Sequence, residues 1–408
     1  MLTDLFLKFR EASKQMLLGT IVLTIVGLVS ISSVSQHQDM NFVNTTYFRQ
    51  LLWTIPAFLT MILTFGISRR NIYKFSYPAY ALVILLLLVP YLGPKVAGTY
   101  RWIKLGTVHL QPSEIAKIFI VLALARYLSN PRLDINGPKA ILVPSVLVLV
   151  PIALVFQQPD LGTSIIIASP VIIMLFWAGV RPFSLFLIIA PVLSILTAFH
   201  NLSFGIWATV MALILYLARP KLVNGVIIYF ANLFLGLLSP YIWNALEPYQ
   251  QKRVMTVFDP SLDPLGAGYQ IIQSQTAIGS GGLLGKGWGQ GTQTQLKFLP
   301  VQETDFIVSV IGEEFGFLMV LVILIIFALL LLRMLRLAAD SDNRFSSLVI
   351  VGLAVLFLAH LFVNMAMAVG LIPVKGLPLP FISYGGSFLV ACFAMVGLVM
   401  NLGINYSD

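Results

Sequence analysis

Glu114 and Lys117 are the residues whose types and spacing most directly suggest chemistry. They lie three positions apart in the segment QPSEIAK, which opens a long apolar run. Pro112 suits the first turn of a helix, and residues three apart share one helical face. Ionisable groups within apolar runs are costly and often functional. Two interpretations stay open: a local ion pair that lets both residues lie between helices, or a charged floor to an outward-facing cavity.

Two short polar segments carry further acids and bases. In QQPDLG, Asp160 could cap the helix that follows it. In GTYRWI, Arg101 beside Trp102 could anchor the chain at a membrane interface. Each residue taken alone is more often structural. Together with the long segment described next, they place acids, bases and amides on one outer surface.

A long polar segment, residues 244–305, interrupts the apolar sequence. It cannot cross lipid, because its backbone groups would lack hydrogen-bond partners there. It contains no obvious element of its own, and its aromatic and aliphatic residues argue against disorder, so we expect a large functional loop outside the bilayer. Asp259 and Asp263 each precede a proline, which is typical of turns. The glycines around Lys286 do not form a phosphate-binding loop, because Gly287 stands where that motif needs Ser or Thr.

The elements that position these residues are predicted to be membrane helices. Of 408 residues, 58% are hydrophobic and 10% charged, whereas soluble domains carry about 25% charged residues. We therefore expect an all-α polytopic membrane protein that forms one membrane domain over residues 1–408. An apolar run of about 17–25 residues crosses a bilayer. Twelve such runs are predicted: 16–35, 49–68, 76–93, 111–129, 138–156, 162–179, 182–199, 203–218, 222–243, 306–333, 345–370 and 380–403.

Basic residues orient the predicted helices. With the N-terminus inside, the inner segments hold fifteen Lys and Arg residues and the short outer loops hold five, which is the positive-inside bias. Both termini are then cytoplasmic and residues 244–305 lie outside, provided that 182–243 forms three helices. Residues 1–15 predict an amphipathic helix on the inner surface. The net charge of +9 comes from short clusters between apolar runs, so it does not indicate a nucleic-acid partner.

Other ionisable groups give weaker signals. Cys392 is the single cysteine and the four histidines are scattered, so we predict no disulfide and no metal site. Glu313 and Glu314 lie about two turns into the run 306–333. We expect one to pair with a basic group or snorkel, and the other to face the protein interior.

Several motifs together resemble the SEDS family (shape, elongation, division and sporulation) of bacterial cell-wall proteins. The matching stretches are TYRWIKLG with QPSEIAK, QQPDLGTS, DPLGAGYQ, LPVQETDFIVSVIGEEFG and NMAMAVGLIPVKGLPLPFISYGGS. The resemblance covers most of the chain, and GKGWGQGTQTQLKFLP is closer to the elongation (RodA-type) branch than to the division branch. Family members typically have ten spans, so the resemblance implies a ten-helix core plus an extra hairpin within 182–243.

The resemblance implies a peptidoglycan glycosyltransferase in the bacterial inner membrane. Its substrate would be lipid II, a disaccharide-pentapeptide on undecaprenyl pyrophosphate, and its partner a class B penicillin-binding protein of the elongation machinery. By the family motif, Asp263 is the expected general base for the acceptor hydroxyl. Glu114 and Lys117 would line the same cavity, with Arg101, Asp160, Lys252 and Arg253 as weaker candidates for substrate contacts.

No cofactor is required by this reading, although a divalent cation such as Mg²⁺ or Mn²⁺ bridging Asp263 and pyrophosphate is conceivable. Two alternatives stay open beside the polymerase. The chain could be a flippase that moves lipid II across the membrane, or a non-catalytic scaffold for the penicillin-binding protein.

Overall fold

The computed structural model describes residues 13–36, 42–93, 99–106, 108–259, 262–263 and 266–404. The predicted interfacial helix over 1–15 therefore lies almost wholly outside the described residues. The described helices are α1 Lys14–Ser35, α2 Thr46–Gly66, α3 Arg69–Leu88, α4 Pro112–Leu128, α5 Lys139–Gln157, α6 Leu161–Trp177, α7 Pro182–Thr197, α8 Asn201–Ala218, α9 Leu222–Leu237, α10 Ser239–Asn244, α11 Pro248–Phe258, α12 Ala267–Gly281, α13 Thr292–Gln295, α14 Ile307–Ala339, α15 Arg344–Ala368 and α16 Gly386–Leu402.

Each predicted span overlaps one main helix, and the span 222–243 covers both α9 and α10. Eight of the described helices, some with an adjoining turn, are long and apolar enough to cross a membrane, and α6, α7 and α16 are shorter apolar helices. Helix α4 carries Glu114, Lys117 and Arg126, which lowers its hydropathy. The expectation of an all-α polytopic membrane protein is confirmed, while the count of twelve crossings stays a prediction. A short hairpin, β1 Ile103–Leu105 and β2 Val108–Leu110, adds two strands before α4.

The core is built around α15 and α16, whose residues are mostly buried. Helix α15 packs against α4, α6 and α14, and α16 packs along α2. Small residues permit this close approach. A Cβ added to Gly397 of α16 would lie 2.3 Å from the Met61 carbonyl oxygen of α2, so glycine sets the spacing of that pair.

The region 182–243 forms a separate helical layer, α7–α10. Its three long helices pack mainly on one another, and α7 attaches them to α6. Trp207 donates through Nε1 to Ser194 Oγ at 2.8 Å, and Ser194 donates to Asn232 Oδ1 at 3.3 Å, so a buried polar group links all three helices. The outward faces of these helices carry exposed apolar side chains such as Leu202 and Phe230, as expected of a lipid-facing layer.

The segment 244–305 contains helices α11, α12 and α13, so the expectation that it holds no element of its own is wrong. Helix α12 packs against α14, and that contact stabilises a helix that its weakly apolar sequence does not announce. The 33 residues of α14 are interrupted at Gly316, where φ is 76°. Glu313 and Glu314 therefore lie before this break, whereas the sequence analysis places them inside one continuous span.

Candidate functional site

A buried charged group joins α4 and α15. Lys117 Nζ lies 2.7 Å from Glu114 Oε2 and 2.8 Å from His360 Nε2. All three residues are at most 3% exposed. His360 Nδ1 lies 3.2 Å from the Pro378 carbonyl oxygen, which can only accept, so Nδ1 carries the proton and Nε2 accepts from Lys117. The local ion pair between Glu114 and Lys117, one of the two interpretations left open, is present, with His360 as a third member.

The ring of Phe388 at the start of α16 closes this group. Lys117 Nζ lies 5.2 Å from its centroid, and the His360 ring lies 4.7 Å from it. Attraction between an ammonium and a ring face is strongest where water is excluded. The position of Lys117 is therefore set by three helices, α4, α15 and α16.

A second group surrounds Asp160 at the start of α6. Its Oδ1 accepts from the Thr163 backbone amide at 3.1 Å, which is the predicted helix cap. Its Oδ2 lies 3.7 Å from Arg101 Nε and accepts from Gln111 Nε2 at 3.2 Å. Arg101 also donates to the carbonyl oxygens of Gln158 and Pro159. Gln111 immediately precedes α4, so the Asp160 group connects to the helix that carries Glu114 and Lys117.

A third group contains Arg253, Asp305 and Lys375. Arg253 of α11 donates through Nη1 to the Val374 carbonyl oxygen at 3.2 Å. Removal of water raises the pKa of Asp305 to about 6, although the positive charges of Arg253 and Arg101 act in the opposite direction. Removal of water, with repulsion from Arg253, lowers the pKa of Lys375 to about 8. Three cations and a carboxyl thus influence one another in this region.

Residues 374–384 hold the groups together. Pro378 accepts from His360, and Leu377 accepts from Asn364 Nδ2 at 2.8 Å. The same Asn364 amide donates to the Asp305 carbonyl oxygen at 3.0 Å. A Cβ added to Gly162, two residues after Asp160, would lie 3.0 Å from the Lys375 carbonyl oxygen. This segment, part of the motif NMAMAVGLIPVKGLPLPFISYGGS, therefore contacts elements that carry all three groups.

Asp263 lies in the connection between α11 and α12. Its side chain is partly exposed, and its carboxylate lies so close to Gly266 that a Cβ there would be 2.3 Å from Oδ2. The contacts of Lys117 are Glu114, His360 and Phe388, so Asp263 is not among them. Lys252 is exposed on α11 and takes no part in the hydrogen bond between Arg253 and the Val374 carbonyl oxygen. The roles predicted for these residues stay predictions.

The residues that sequence reasoning missed are His360, Asp305 and Lys375. A histidine inside the apolar run 345–370 was an available signal, because ionisable groups in such runs are rarely idle. Asp305 ends the long polar segment, and Lys375 lies in the connection between α15 and α16. Their importance depends on contacts between distant parts of the chain, which spacing along the sequence does not show.

Glu313 and Glu314 have structural partners. Glu313 accepts from Lys286 Nζ at 2.8 Å and from the backbone amides of Gln293 and Thr294. Glu314 accepts from Ser33 Oγ at 2.5 Å and from Gln295 Nε2 at 3.0 Å. Both carboxylates therefore hold the 282–295 segment against α14, and Lys286 is the basic partner that the sequence analysis expected for one of them.

An apolar groove of about 400 Å³ runs between α2, α3, α4 and α16. It is lined near one end by Trp53, Leu110, Ile115 and Ser387, and near the other by Ile67 and Asn71 in the connection between α2 and α3. Ile115 adjoins Glu114, and Ser387 adjoins Phe388. Helices α4 and α16 therefore contribute side chains both to the groove and to the buried charged group.

The possible divalent cation stays a prediction. Within the part of the chain that the structure describes, no three His, Cys, Asp or Glu side chains approach closely enough to hold a metal ion. Asp263, the predicted ligand, contributes one carboxylate.

Comparison with known sequences identifies relatives over nearly the whole chain. A family model described as "Cell cycle protein", covering FtsW, RodA and SpoVE, matches residues 13–207 and 201–407. The peptidoglycan glycosyltransferase MrdB of Escherichia coli K12 is 39% identical over 78% of this chain and 75% of its own. A probable peptidoglycan glycosyltransferase FtsW from Trichlorobacter lovleyi is 35% identical over 97% and 94%, and the peptidoglycan glycosyltransferase RodA of Treponema pallidum is 30% identical over 95% and 96%.

Solved structures share the fold. One chain, from a study titled "Structural coordination of polymerization and crosslinking by a peptidoglycan synthase complex", aligns with a TM-score of 0.73 at 29% identity, covering 97% of this chain and 99% of that one. The rod shape determining protein RodA of Thermus thermophilus aligns with a TM-score of 0.64 at 26% identity, covering 96% of each chain. The chain therefore belongs to the SEDS family, the family of FtsW, RodA and SpoVE.

Proposed function

We propose that this protein is a peptidoglycan glycosyltransferase that polymerises lipid II. The acceptor GlcNAc 4-hydroxyl attacks the anomeric carbon of the donor MurNAc, and the bond from that carbon to undecaprenyl pyrophosphate breaks. Asp263 accepts the proton of the attacking hydroxyl, which is a poor nucleophile near pH 7. The leaving pyrophosphate departs as an anion, so cations rather than a second acid stabilise it.

The observation that carries this proposal is the apolar groove beside the buried charged group. Lipid II has a long hydrocarbon chain joined to a charged pyrophosphate and a polar disaccharide. A groove that spans the membrane helices suits the hydrocarbon chain, and Lys117, next in sequence to the groove residue Ile118 on α4, suits the pyrophosphate. Few other classes of substrate require both environments side by side.

The cations have graded roles in this scheme. Lys117 is deeply buried, and its ammonium either contacts a phosphate directly or neutralises Glu114. Arg101 and Arg253 are partly exposed and already donate to backbone carbonyls, so they orient or contact the sugar and phosphate groups at the outer face. Asp160 positions Arg101. Lys252, exposed on α11, is the weakest candidate.

We further propose that the protein works in lateral cell-wall elongation and maintenance of rod shape, in the bacterial inner membrane with both termini cytoplasmic. A class B penicillin-binding protein is the proposed partner, which would cross-link the strands. The solved chain from a peptidoglycan synthase complex supports such a partnership. The sequence GKGWGQGTQTQLKFLP, residues 285–300, favours the elongation branch.

The proposal is tested with purified protein, its penicillin-binding partner and labelled lipid II. We expect glycan strands from the wild type and none above background from Asp263→Asn. Asp259→Asn is the matched control, because Asp259 also precedes a proline, four residues earlier in the same segment. It should retain most of the wild-type rate. Equal polymerisation by Asp263→Asn and the wild type would refute the role of Asp263 as base.

The two alternatives give different results in the same system. A flippase would move lipid II across vesicles without forming polymer, and the many spans and intramembrane charges are compatible with it. A scaffold would support its partner equally well with Asp263→Asn or Glu114→Gln. Polymer formed by the wild type and lost in Asp263→Asn, with partner binding intact, excludes the scaffold.

A further inference from the structure

A second groove lies at the opposite end of the molecule from the charged groups. It has a volume of about 330 Å³ and lies between α1 and α14. Leu18, Gly19 and Val22 line it from α1, and Ile326 and Leu329 from α14. Gly19 has no side chain and therefore leaves this space open. A Cβ placed there would lie 3.5 Å from the nearest atom, on Leu330.

Two arginines, Arg333 and Arg336, stand at the mouth of this groove. They lie in the last two turns of α14. Lys14 is the first residue of α1 and follows Ser13 directly. Arg333 donates through Nε to Ser13 Oγ at 3.0 Å, which fixes the guanidinium while its two terminal amino groups remain available as donors. Among the described residues, no Asp or Glu carboxylate forms an ion pair within 4 Å of the guanidinium nitrogens of Arg333 or Arg336.

Other arginines in the predicted inner segments are used differently. Arg69 donates to the carbonyl oxygens of Asn401 and Leu402 at the end of α16. Arg344 donates to the Ala178 carbonyl oxygen at 2.9 Å, and the Arg126 guanidinium lies 4.3 Å from the centroid of the Tyr77 ring. The guanidinium groups of these three arginines thus have partners within the protein. Arg333 and Arg336 instead border an open groove.

The length of the groove defines the kind of molecule that fits. Ile326 and Arg336 are ten residues apart, which is about 15 Å along a helix. This is half of the roughly 30 Å hydrocarbon thickness of a bilayer. The occupant therefore belongs to one leaflet, with a charged group at the helix end and a hydrocarbon chain reaching the bilayer midplane.

We propose that this groove binds an anionic glycerophospholipid, with its phosphate on Arg333 and Arg336 and one acyl chain between α1 and α14. In the proposed topology this lipid belongs to the cytoplasmic leaflet. Basic residues beside apolar grooves attract anionic head groups by charge, and the acyl chain adds burial of apolar surface. The site is separate from the lipid II groove, which is lined by α2, α3, α4 and α16.

The test measures phospholipid retention by the full-length protein in detergent, using native mass spectrometry. Palmitoyl-oleoyl phosphatidylglycerol is compared with the zwitterionic phosphatidylethanolamine carrying the same chains. We expect preferential retention of phosphatidylglycerol. Replacing both arginines, Arg333→Gln with Arg336→Gln, should weaken its binding roughly 30-fold. The charge-matched control, Arg132→Gln with Lys139→Gln, removes two predicted inner charges elsewhere and should leave binding unchanged.

A second variant separates the groove from the charges. Gly19→Leu places a side chain in the groove and should reduce retention of phosphatidylglycerol while leaving both arginines in place. The melting temperature in detergent checks that each variant is folded. The proposal is overturned if the arginine pair variant binds like the wild type, or if Gly19→Leu has no effect. It is also overturned if inorganic phosphate displaces the lipid at millimolar concentration, or if the penicillin-binding partner displaces it completely.

Discussion

Lys117 links three helices through its buried ammonium group. Its ammonium contacts Glu114, His360 and the Phe388 ring, each on a different part of the fold. A buried charge that loses its partner is strongly destabilising, whereas removing both charges together can be nearly neutral. The cost of changing this residue therefore depends on whether Glu114 is changed with it.

We expect Lys117→Met to lower the free energy of unfolding by about 3–5 kcal/mol, because it leaves the Glu114 carboxylate buried without its cation. The double variant Glu114→Gln with Lys117→Met should recover much of that loss. Denaturation in detergent measures both. If the group also serves the reaction, the stable double variant should still make no glycan. Full polymerase activity in that variant would assign the pair to stability alone.

His360 is expected to act as a positioning residue for Lys117. His360→Leu removes the acceptor at Nε2 and should lower the rate of polymerisation roughly 10- to 100-fold, since small displacements of a contacting group are costly. His360→Gln supplies another side-chain acceptor and should restore part of the rate. Recovery by Gln at an equal melting temperature separates positioning from a general loss of stability. Identical rates for all three proteins would contradict the role.

Asp305 gives the protein a predicted pH dependence of stability. Its pKa in the folded protein is about 6, against 3.8 for the ordinary group. Between these values the folded state keeps a proton that the unfolded chain releases, so the free energy of unfolding falls as pH rises from about 4 to about 6, by at most about 3 kcal/mol. Above about pH 6 the Asp305 carboxyl is ionised in both states, so it adds no further change to the free energy of unfolding.

Melting temperatures across pH 4–7 test this expectation, with Asp305→Asn as the comparison. The variant should lack the decline between pH 4 and 6. Lys375, whose pKa is lowered to about 8, changes protonation only above that window and does not interfere. Parallel curves for the two proteins would show that Asp305 is not the titrating group.

Among the elements, α14 is notable for a break that another segment repairs. The backbone amides of Phe317 and Leu318 donate to the carbonyl oxygens of Gly282 and Leu283. In return, the carbonyl oxygens of Glu313 and Glu314 accept from Lys286 and Gly287. Four backbone groups beside the break are thus paired, as an environment poor in water requires. The glycine-rich sequence after α12 allows this close backbone contact with α14.

Gly285→Ala should be severely destabilising, because Gly285 has a φ of +79° and a Cβ there would lie 2.3 Å from the Glu314 carbonyl oxygen. We expect a loss of more than about 2 kcal/mol in the free energy of unfolding. Gly279→Ala, in the exposed face of α12 with no atom within 4 Å, is the control. It should be neutral or stabilising by about 0.5–1 kcal/mol. Equal stabilities for the two variants would contradict the close approach.

The elements differ in how far the sequence predicts them. The long helices follow from apolar runs, because a bilayer imposes a length and a polarity on any segment that crosses it. Helices α11 and α12 were not predicted, since their mixed polarity resembles that of a loop. Helix α12 is stabilised by packing on α14, and α11 packs on α12. The Glu114–Lys117 pair was visible because it is local. The contact of Lys117 with His360 joins residues 243 positions apart and was not.

At the scale of the whole molecule, the charged groups and the groove between α1 and α14 lie at opposite ends of the helices. Which of the two ends faces the cytoplasm depends on the proposed topology, which labelling can test. Lys252→Cys should react with a membrane-impermeant maleimide in intact spheroplasts, because α11 is predicted to lie outside. Arg132→Cys, between α4 and α5, should react only after permeabilisation. The reverse pattern would invert the orientation and place the 244–305 segment in the cytoplasm.

Cys392 extends the use of such labelling. It is the only thiol of the chain, and its side chain is completely buried in α16. The natural sequence is therefore already a background in which an introduced surface cysteine is the one reactive position. Pairs of spin labels or fluorophores placed on α11 and on the α14–α15 connection would report interhelical distances during turnover, without first having to replace a native residue in the core.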